Sequence, residues 1–154
     1  CSYGGNCLND LEAEDTMVAI AKFENGSVGT IEATTAARPK DFEASFSLVS
    51  EKGFIEIGGI ALNEIITYQI NDDDENEELI KKKYSQEVPN GYGLSHGIYI
   101  QKVINNILNG SKKAPINAND SKITTEIIHS IYSSFEKNKW IKIKDRIESN
   151  LLGK

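Results

Sequence analysis

The 154-residue sequence has little of several features that would identify a class of protein. It contains two cysteines, three prolines and one tryptophan, and no apolar run approaches the length that crosses a bilayer. Two cysteines are too few for a disulfide scaffold, and the spacing of Cys1 and Cys7 fits no common zinc pattern. We therefore expect reduced thiols, a cytoplasmic location, no bound metal and no membrane association.

Positive charge is also scarce. The formal net charge is −6, and no basic stripe is available to neutralise the phosphates of a nucleic acid. Much of the negative charge lies in one run from Asp72 to Glu78. A calcium loop would need carboxylates at alternating positions and a glycine at the turn, and this run has neither. We expect a solvated loop there and no nucleic-acid partner.

No motif of a self-sufficient enzyme is present: the sequence lacks HExxH, GxSxG, a Walker A loop and paired cysteines. The stretch GYGLSH, residues 91–96, begins like a dinucleotide fingerprint, but His96 replaces the third glycine and no tight βαβ unit surrounds it. It predicts a flexible loop before a helix whose N-terminus favours an anion. His96 either meets a ligand there or caps the helix, and His129 is expected to be structural.

The first two thirds of the chain read as strands. Asn25-Gly26 is a strong hairpin signal between two strand-like stretches, and residues 42–49 alternate apolar and polar side chains. Short connections between successive strands predict a mostly antiparallel sheet. The predicted strands cover residues 15–24, 27–37, 42–49, 54–57 and 63–71, with one more over 79–88.

The last third changes to a helical period. Apolar residues recur with helical spacing from Ile100 to Leu108, Ser95 is a plausible N-cap and Gly110 a plausible stop. A second helix is expected from about Asn119, then a short strand over 139–143. We predict an α+β domain over residues 1–143, with a mostly antiparallel open sheet and helices packed on one face, followed by a polar tail over 144–154.

Residues 34–37 (Thr-Thr-Ala-Ala) form an extended stretch with almost no side-chain bulk, and two cations, Arg38 and Lys40, bracket the proline that follows. These cations either end a strand and stay in water, or bind an anionic ligand that lies on the cleared strand. The small residues before them favour the second interpretation.

Several segments together resemble the C-terminal domain of the Gfo/Idh/MocA oxidoreductases. They are EDTMVAIAKFENGSVGTIEATTAARP, then EKGFIEIGG, then the ending from YGLSHGIYIQKVINN to EKNKWIKI. The pairing of TTAARPKDFEAS with EKGFIEIGGIALNEI is similar to the nucleotide-sugar dehydrogenases that oxidise UDP-N-acetylglucosaminuronate at C3.

The resemblance implies a longer protein whose N-terminal Rossmann domain binds NAD or NADP and carries the catalytic lysine. This chain alone is then expected to be inactive, with no catalytic and no cofactor-binding residue of its own. Arg38, Lys40, Tyr92 and His96 are the expected substrate-binding residues, and the sheet face the expected contact of a homodimer or tetramer. The alternative is a non-catalytic module that uses the open sheet face only to dimerise or bind.

Overall fold

A computed structural model of the protein describes residues 1–71, 74–143, 147 and 149–151. The chain divides into two compact units, one formed by Cys1–Ala37 with Ile116–Lys154 and the other by Arg38–Pro115. None of the helices in the described ranges is long and apolar enough to cross a membrane. The elements are β1 (Ser2–Gly5), β2 (Thr16–Lys22), β3 (Val28–Thr34), β4 (Phe46–Ser50), β5 (Gly53–Gly58), β6 (Glu64–Ile70), α1 (Glu77–Tyr84), α2 (Ser95–Leu108) and α3 (Ala118–Lys137).

The predicted α+β class with antiparallel open sheets is confirmed. The strands form two three-stranded sheets, in the orders β1-β2-β3 and β4-β5-β6, where the sequence had predicted a single sheet. Every strand pair is antiparallel. The first sheet belongs to the first unit and the second sheet to the second unit.

The β2–β3 hairpin forms where Asn25-Gly26 predicted it. The Gly26 N–H donates to the Phe23 carbonyl (3.0 Å), and the Phe23 N–H donates to the Ser27 carbonyl (2.9 Å). Gly26 has φ of 91°, a left-handed value that glycine adopts without steric cost. The hairpin is therefore a three-residue loop that ends in a left-handed glycine.

Helix α3 packs on β1 through small residues. Its buried residues are Ser130, Ser133 and Ser134, whereas its isoleucines are exposed or only half-buried. The Ser2 hydroxyl donates to the Ile131 carbonyl (2.6 Å), which ties the strand to the helix. Small side chains let the helix backbone approach the strand closely, and the serine hydroxyls find their partners within the helix and just after it.

Asp15 organises the loop between β1 and β2. Its buried carboxylate accepts N–H bonds from Cys7 (2.9 Å), Leu8 (2.8 Å) and Asn9 (2.7 Å) and a bond from the Thr16 hydroxyl (3.0 Å). These bonds, led by that from the Asn9 N–H, lower the pKa of Asp15 far below its usual value. The two cysteines of the chain, Cys1 and Cys7, are exposed free thiols.

The strand predicted over residues 79–88 is wrong, because residues 77–84 form helix α1. Asn76 caps this helix by accepting the N–H groups of Glu78 and Leu79, and three lysines fill its last turn. Helix α1 packs against β6 and buries Ile80. The last two residues of the acidic run, Glu77 and Glu78, therefore lie in the first turn of α1. Asp72 and Asp73 lie outside the described residues.

Helix α1 also covers the open edge of the second sheet. The Glu77 carboxylate accepts the Tyr68 N–H of β6 (3.1 Å), and the Ser85 hydroxyl accepts the Ile65 N–H (2.9 Å). The Tyr68 bond is the main cause of a lowered pKa at Glu77, and Lys81 adds to it. These side chains occupy backbone groups that an edge strand would otherwise offer to another chain.

Two further strand predictions need correction. The strand predicted over 42–49 begins at Phe46, and the strand predicted over 139–143 does not form. Asn138 ends α3 in a left-handed conformation (φ 48°), and the Lys139 carbonyl accepts the Ser134 hydroxyl. The chain therefore turns back onto the helix it has just left. Part of the predicted polar tail is described and bonds to α3: Glu136 accepts the Asn150 side-chain amide (2.5 Å) and backbone N–H (3.0 Å).

Candidate functional site

The predicted ligand-binding residues Arg38, Lys40, Tyr92 and His96 all lie in the second unit. Strand β3 ends at Thr34, so the small residues Thr35 to Ala37 follow the strand and do not belong to it. The side chains of Arg38 and Lys40 are exposed. Residues 38–45 form an irregular segment, which we call the Arg38 segment, between the end of the first unit and β4.

The Arg38 segment is fixed to the turn between β5 and β6, residues 59–63. The Ala44 N–H donates to the Gly59 carbonyl at 2.8 Å. Gly59 has φ of 88°, a left-handed value that permits the turn. This tight turn therefore anchors the Arg38 segment at Ala44.

Residues 86–94 lead from α1 to α2 and carry Tyr92; we call them the glycine loop. The Asn90 carbonyl accepts the Gly93 N–H (3.0 Å) and its side chain accepts the Tyr92 N–H (3.0 Å), which closes a turn that needs φ of 61° at Gly93. This turn ends at the start of α2. Ser95 is the first helical residue, and the N-cap is Leu94, which supplies no side-chain cap.

The glycine loop lies against both the β5–β6 turn and the Arg38 segment. A Cβ atom placed on Gly91 would lie 3.5 Å from the Asp41 carboxylate and 3.5 Å from the Ile60 carbonyl. A Cβ atom on Gly93 would lie 3.2 Å from the Ala61 Cβ. The loop backbone at Gly91 therefore approaches Asp41, the residue directly after Lys40, at ordinary contact distance, and Gly93, with φ of 61°, is the position that favours a residue without a side chain.

Tyr92 and His96 are neighbours. Their ring centroids lie 6.3 Å apart at an interplanar angle of 66°, an edge-to-face arrangement. Both side chains are exposed, and that of Tyr92 is 78% accessible. The pair presents a phenol and an imidazole at the start of α2, where free helix N–H groups favour an anion.

The Arg38 segment, which carries two cations, and the glycine loop, which carries Tyr92, thus both contact the β5–β6 turn, and His96 lies beside Tyr92 in the first turn of α2. Such a set can bind an anionic, hydroxyl-rich ligand by charge-assisted hydrogen bonds. Two further residues of this region, Asp41, whose carboxylate lies against Gly91, and Asn63, whose amide bonds Ala61 and Gln86, were not predicted from the sequence. Asn63 follows a Gly-Gly pair, a turn signal, but nothing in the sequence shows that its side chain reaches residue 86.

The first unit contains a separate apolar cavity of about 510 Å³, which the sequence did not predict. It lies between the β2 and β3 strands, helix α3 and the segment that follows α3. Its lining includes Phe23, Ile31, Ile131 and Trp140, and few charged side chains. This cavity offers packing surface, while the charged and polar groups converge in the second unit.

Comparison with known proteins identifies the family of the chain. Residues 3–143 match the family described as the oxidoreductase family, C-terminal alpha/beta domain. No curated protein sequence matches the chain. Two similar crystal structures are WlbA dehydrogenases, each in complex with NADH and UDP-GlcNAcA.

The WlbA dehydrogenase from Chromobacterium violaceum is 25% identical with a TM-score of 0.73, and the alignment covers 90% of this chain and 37% of that one. The enzyme from Bordetella pertussis is 26% identical with a TM-score of 0.71, covering 89% of this chain and 39% of that one. The chain thus spans well under half the length of these two dehydrogenases.

Proposed function

Because the chain belongs to the Gfo/Idh/MocA oxidoreductases, whose C-terminal alpha/beta domain it matches over residues 3–143, we propose that it is the substrate-binding part of a nucleotide-sugar dehydrogenase. The intact enzyme would move a hydride between a sugar carbon and NAD or NADP. The proposed substrate is UDP-N-acetylglucosaminuronate, oxidised at C3, because two similar dehydrogenases were crystallised with UDP-GlcNAcA and NADH.

The observation that carries this proposal is the convergence of the Arg38 segment and the glycine loop on one turn. A sugar nucleotide presents a diphosphate, a carboxylate and several hydroxyls. Arg38 can pair two oxygens of a phosphate or carboxylate at once, and Lys40 adds a second positive charge. Tyr92 and His96 supply groups that bond hydroxyls or anions. In this proposal all four residues bind the substrate and none transfers the hydride.

The glycine loop does not have the form of a dinucleotide fingerprint. A fingerprint glycine loop follows a strand directly and opens a helix, whereas the glycine loop here follows helix α1. The third fingerprint position is His96, whose side chain would fill the space of the missing glycine. The proposed mechanism therefore assigns cofactor binding and hydride transfer to residues outside this chain, and substrate binding to this one.

The test is an assay of the intact enzyme with two matched substrates. We expect NADH formation with UDP-GlcNAcA and a much lower kcat/KM with UDP-GlcNAc, which differs by lacking the carboxylate. No turnover of either compound, with NAD or with NADP, would overturn the proposal.

A second candidate function, a module that dimerises through an open sheet face, is favoured by the exposed surface of the second sheet. All five residues of β4 are exposed, and Phe46 and Leu48, which share one face of the sheet, are 56% and 54% accessible. Apolar surface of this kind often marks a protein contact. A homodimer through this sheet is compatible with the proposed dehydrogenase. If the intact protein dimerises but oxidises no sugar nucleotide, that result would favour the non-catalytic module.

A further inference from the structure

Asn63 links the β5–β6 turn to the glycine loop. Its side chain is 7% exposed, and both ends of its amide are bonded. The Ala61 N–H donates to Asn63 Oδ1 (3.1 Å), and Asn63 Nδ2 donates to the Gln86 carbonyl (2.8 Å). The Gln86 N–H in turn donates to the Asn63 carbonyl (2.9 Å). One residue therefore holds the first residue of the glycine loop by two hydrogen bonds.

The turn itself is shaped around this side chain. Leu62 has φ of 53°, in the left-handed region that non-glycine residues rarely adopt. Gly59, also left-handed, leaves room for the amide, since a Cβ atom there would lie 2.5 Å from Asn63 Oδ1. Such a conformation persists only where its surroundings hold it, and the buried Asn63 bonds are what hold it here.

The far end of the glycine loop rests on the same turn. Gly91 lies against Ile60 and Gly93 against Ala61, whose N–H is the group that Asn63 binds. A displacement of the turn would therefore reach the loop at both ends. Tyr92 lies between the two glycines, so its position depends on the turn. The hydrogen bonds of Asn63 go to Ala61 and Gln86, and the Tyr92 N–H donates to Asn90.

We propose that Asn63 is a positioning residue of the substrate site: it sets the conformation of the glycine loop and thereby the placement of Tyr92 and His96. The inference rests on the proposed function for its ligand, a nucleoside diphosphate sugar. Asn63 acts through the loop and has no contact with the ligand, so its loss weakens binding without altering the chemical step.

The experiment compares Asn63→Ala and Asn63→Asp in the intact enzyme with Asn117→Ala as a matched control. Asn117 also bonds backbone N–H groups, those of Asn119 and Asp120, but at the start of α3 in the first unit. We expect KM for UDP-GlcNAcA to rise about five- to tenfold in both Asn63 variants, the loss of roughly one hydrogen bond. We expect kcat to change less than about twofold, and Asn117→Ala to leave KM unchanged.

Asn63→Asp keeps the side-chain volume and an acceptor for Ala61, but it replaces the donor to Gln86 with a carboxylate oxygen that repels the Gln86 carbonyl. It therefore tests the Asn63–Gln86 bond even if Asn63→Ala fails to fold, and Gly93→Ala controls for the negative charge that it adds. Gly93→Ala displaces the glycine loop in a second way and leaves Asn63 unchanged. The added methyl group would lie close to Ala61, and φ of 61° is unfavourable for alanine. An unchanged KM in folded Asn63→Asp and Gly93→Ala would overturn the proposal, as would an equal rise in Asn117→Ala.

Amide hydrogen exchange separates this inference from the proposed function, because it needs no ligand. We expect faster exchange across residues 90–95 in Asn63→Asp and not in Asn117→Ala. Unchanged exchange there would refute the positioning role of Asn63 even if the enzyme oxidises the sugar nucleotide. Faster exchange in an enzyme that binds no UDP-GlcNAcA would support that role while refuting the proposed substrate.

Discussion

Arg38→Ala should weaken substrate binding and leave the chemical step nearly intact. Arg38 is exposed and lies on a segment that the Ala44–Gly59 bond fixes in place, so its loss removes a charge without emptying a packed core. A hydrogen bond to a charged group contributes about 1.5–3 kcal/mol, which corresponds to roughly one to two decades in affinity. We expect KM for UDP-GlcNAcA to rise about ten- to a hundredfold.

The assay is steady-state NADH formation by the intact enzyme, with two comparison variants. Arg38→Lys keeps the positive charge but loses the bidentate geometry, and should fall between wild type and alanine. Lys52→Ala removes an exposed cation at the end of β5 that lies away from the β5–β6 turn, about 20 Å from that turn at roughly 3.3 Å per residue, and should leave KM unchanged.

The two substrates also show which group Arg38 binds. If it binds the carboxylate, Arg38→Ala should reduce the preference for UDP-GlcNAcA over UDP-GlcNAc; if it binds the diphosphate, both should lose affinity equally. An unchanged KM in Arg38→Ala for both compounds would refute the reasoning and leave Arg38 as a solvated residue between β3 and β4.

Five other predictions concern stability, association and cofactor binding. Asn117→Ala should lower the free energy of unfolding by about 1 kcal/mol in urea denaturation, because it removes the N-cap of α3. Ile80→Ala should cost about 2–4 kcal/mol by the same measurement, since Ile80 is the buried residue of α1. The pKa of Asp15 is lower in the folded state than in the unfolded state, so Asp15 stabilises the fold above its unfolded pKa of about 4. This stabilisation is lost as the pH falls below that value. Stability should therefore decline less with acid in Asp15→Asn than in the wild type, and an identical pH profile would contradict this. Leu48→Asp should shift sedimenting dimers toward monomers if the β4 surface is a symmetric interface. Calorimetry with the isolated chain should show no micromolar binding of NAD.

Local signals predicted the fold well where a backbone conformation depends on nearby residues. Asn25-Gly26 predicted a hairpin, and the period of apolar residues after Ser95 predicted α2. The error over residues 79–88 has a local cause: an Asn N-cap, two acidic residues and three lysines mark a helix, but its short apolar content resembles a strand. These end signals outweigh the weak apolar pattern.

The candidate site was harder to predict because its arrangement depends on contacts between distant residues. The sequence marked Arg38, Lys40, Tyr92 and His96 by their charge and by the glycines around them. It could not show that residues 44 and 59 are bonded, or that Gly91 approaches Asp41, since these contacts are fixed by the β5–β6 turn. Asn63, a residue of ordinary type at a turn, gains its role only from burial against Gln86.

The most direct test of the central claim is a crystal structure of the intact enzyme with UDP-GlcNAcA. We predict that the Arg38 guanidinium lies about 3 Å from an oxygen of the diphosphate or the carboxylate, the distance of a charge-assisted hydrogen bond. The same ligand should contact Tyr92 on the glycine loop or His96 in the first turn of α2. A ligand that touches neither the Arg38 segment nor the glycine loop, or that contacts this chain only at the apolar cavity of the first unit, would contradict the account.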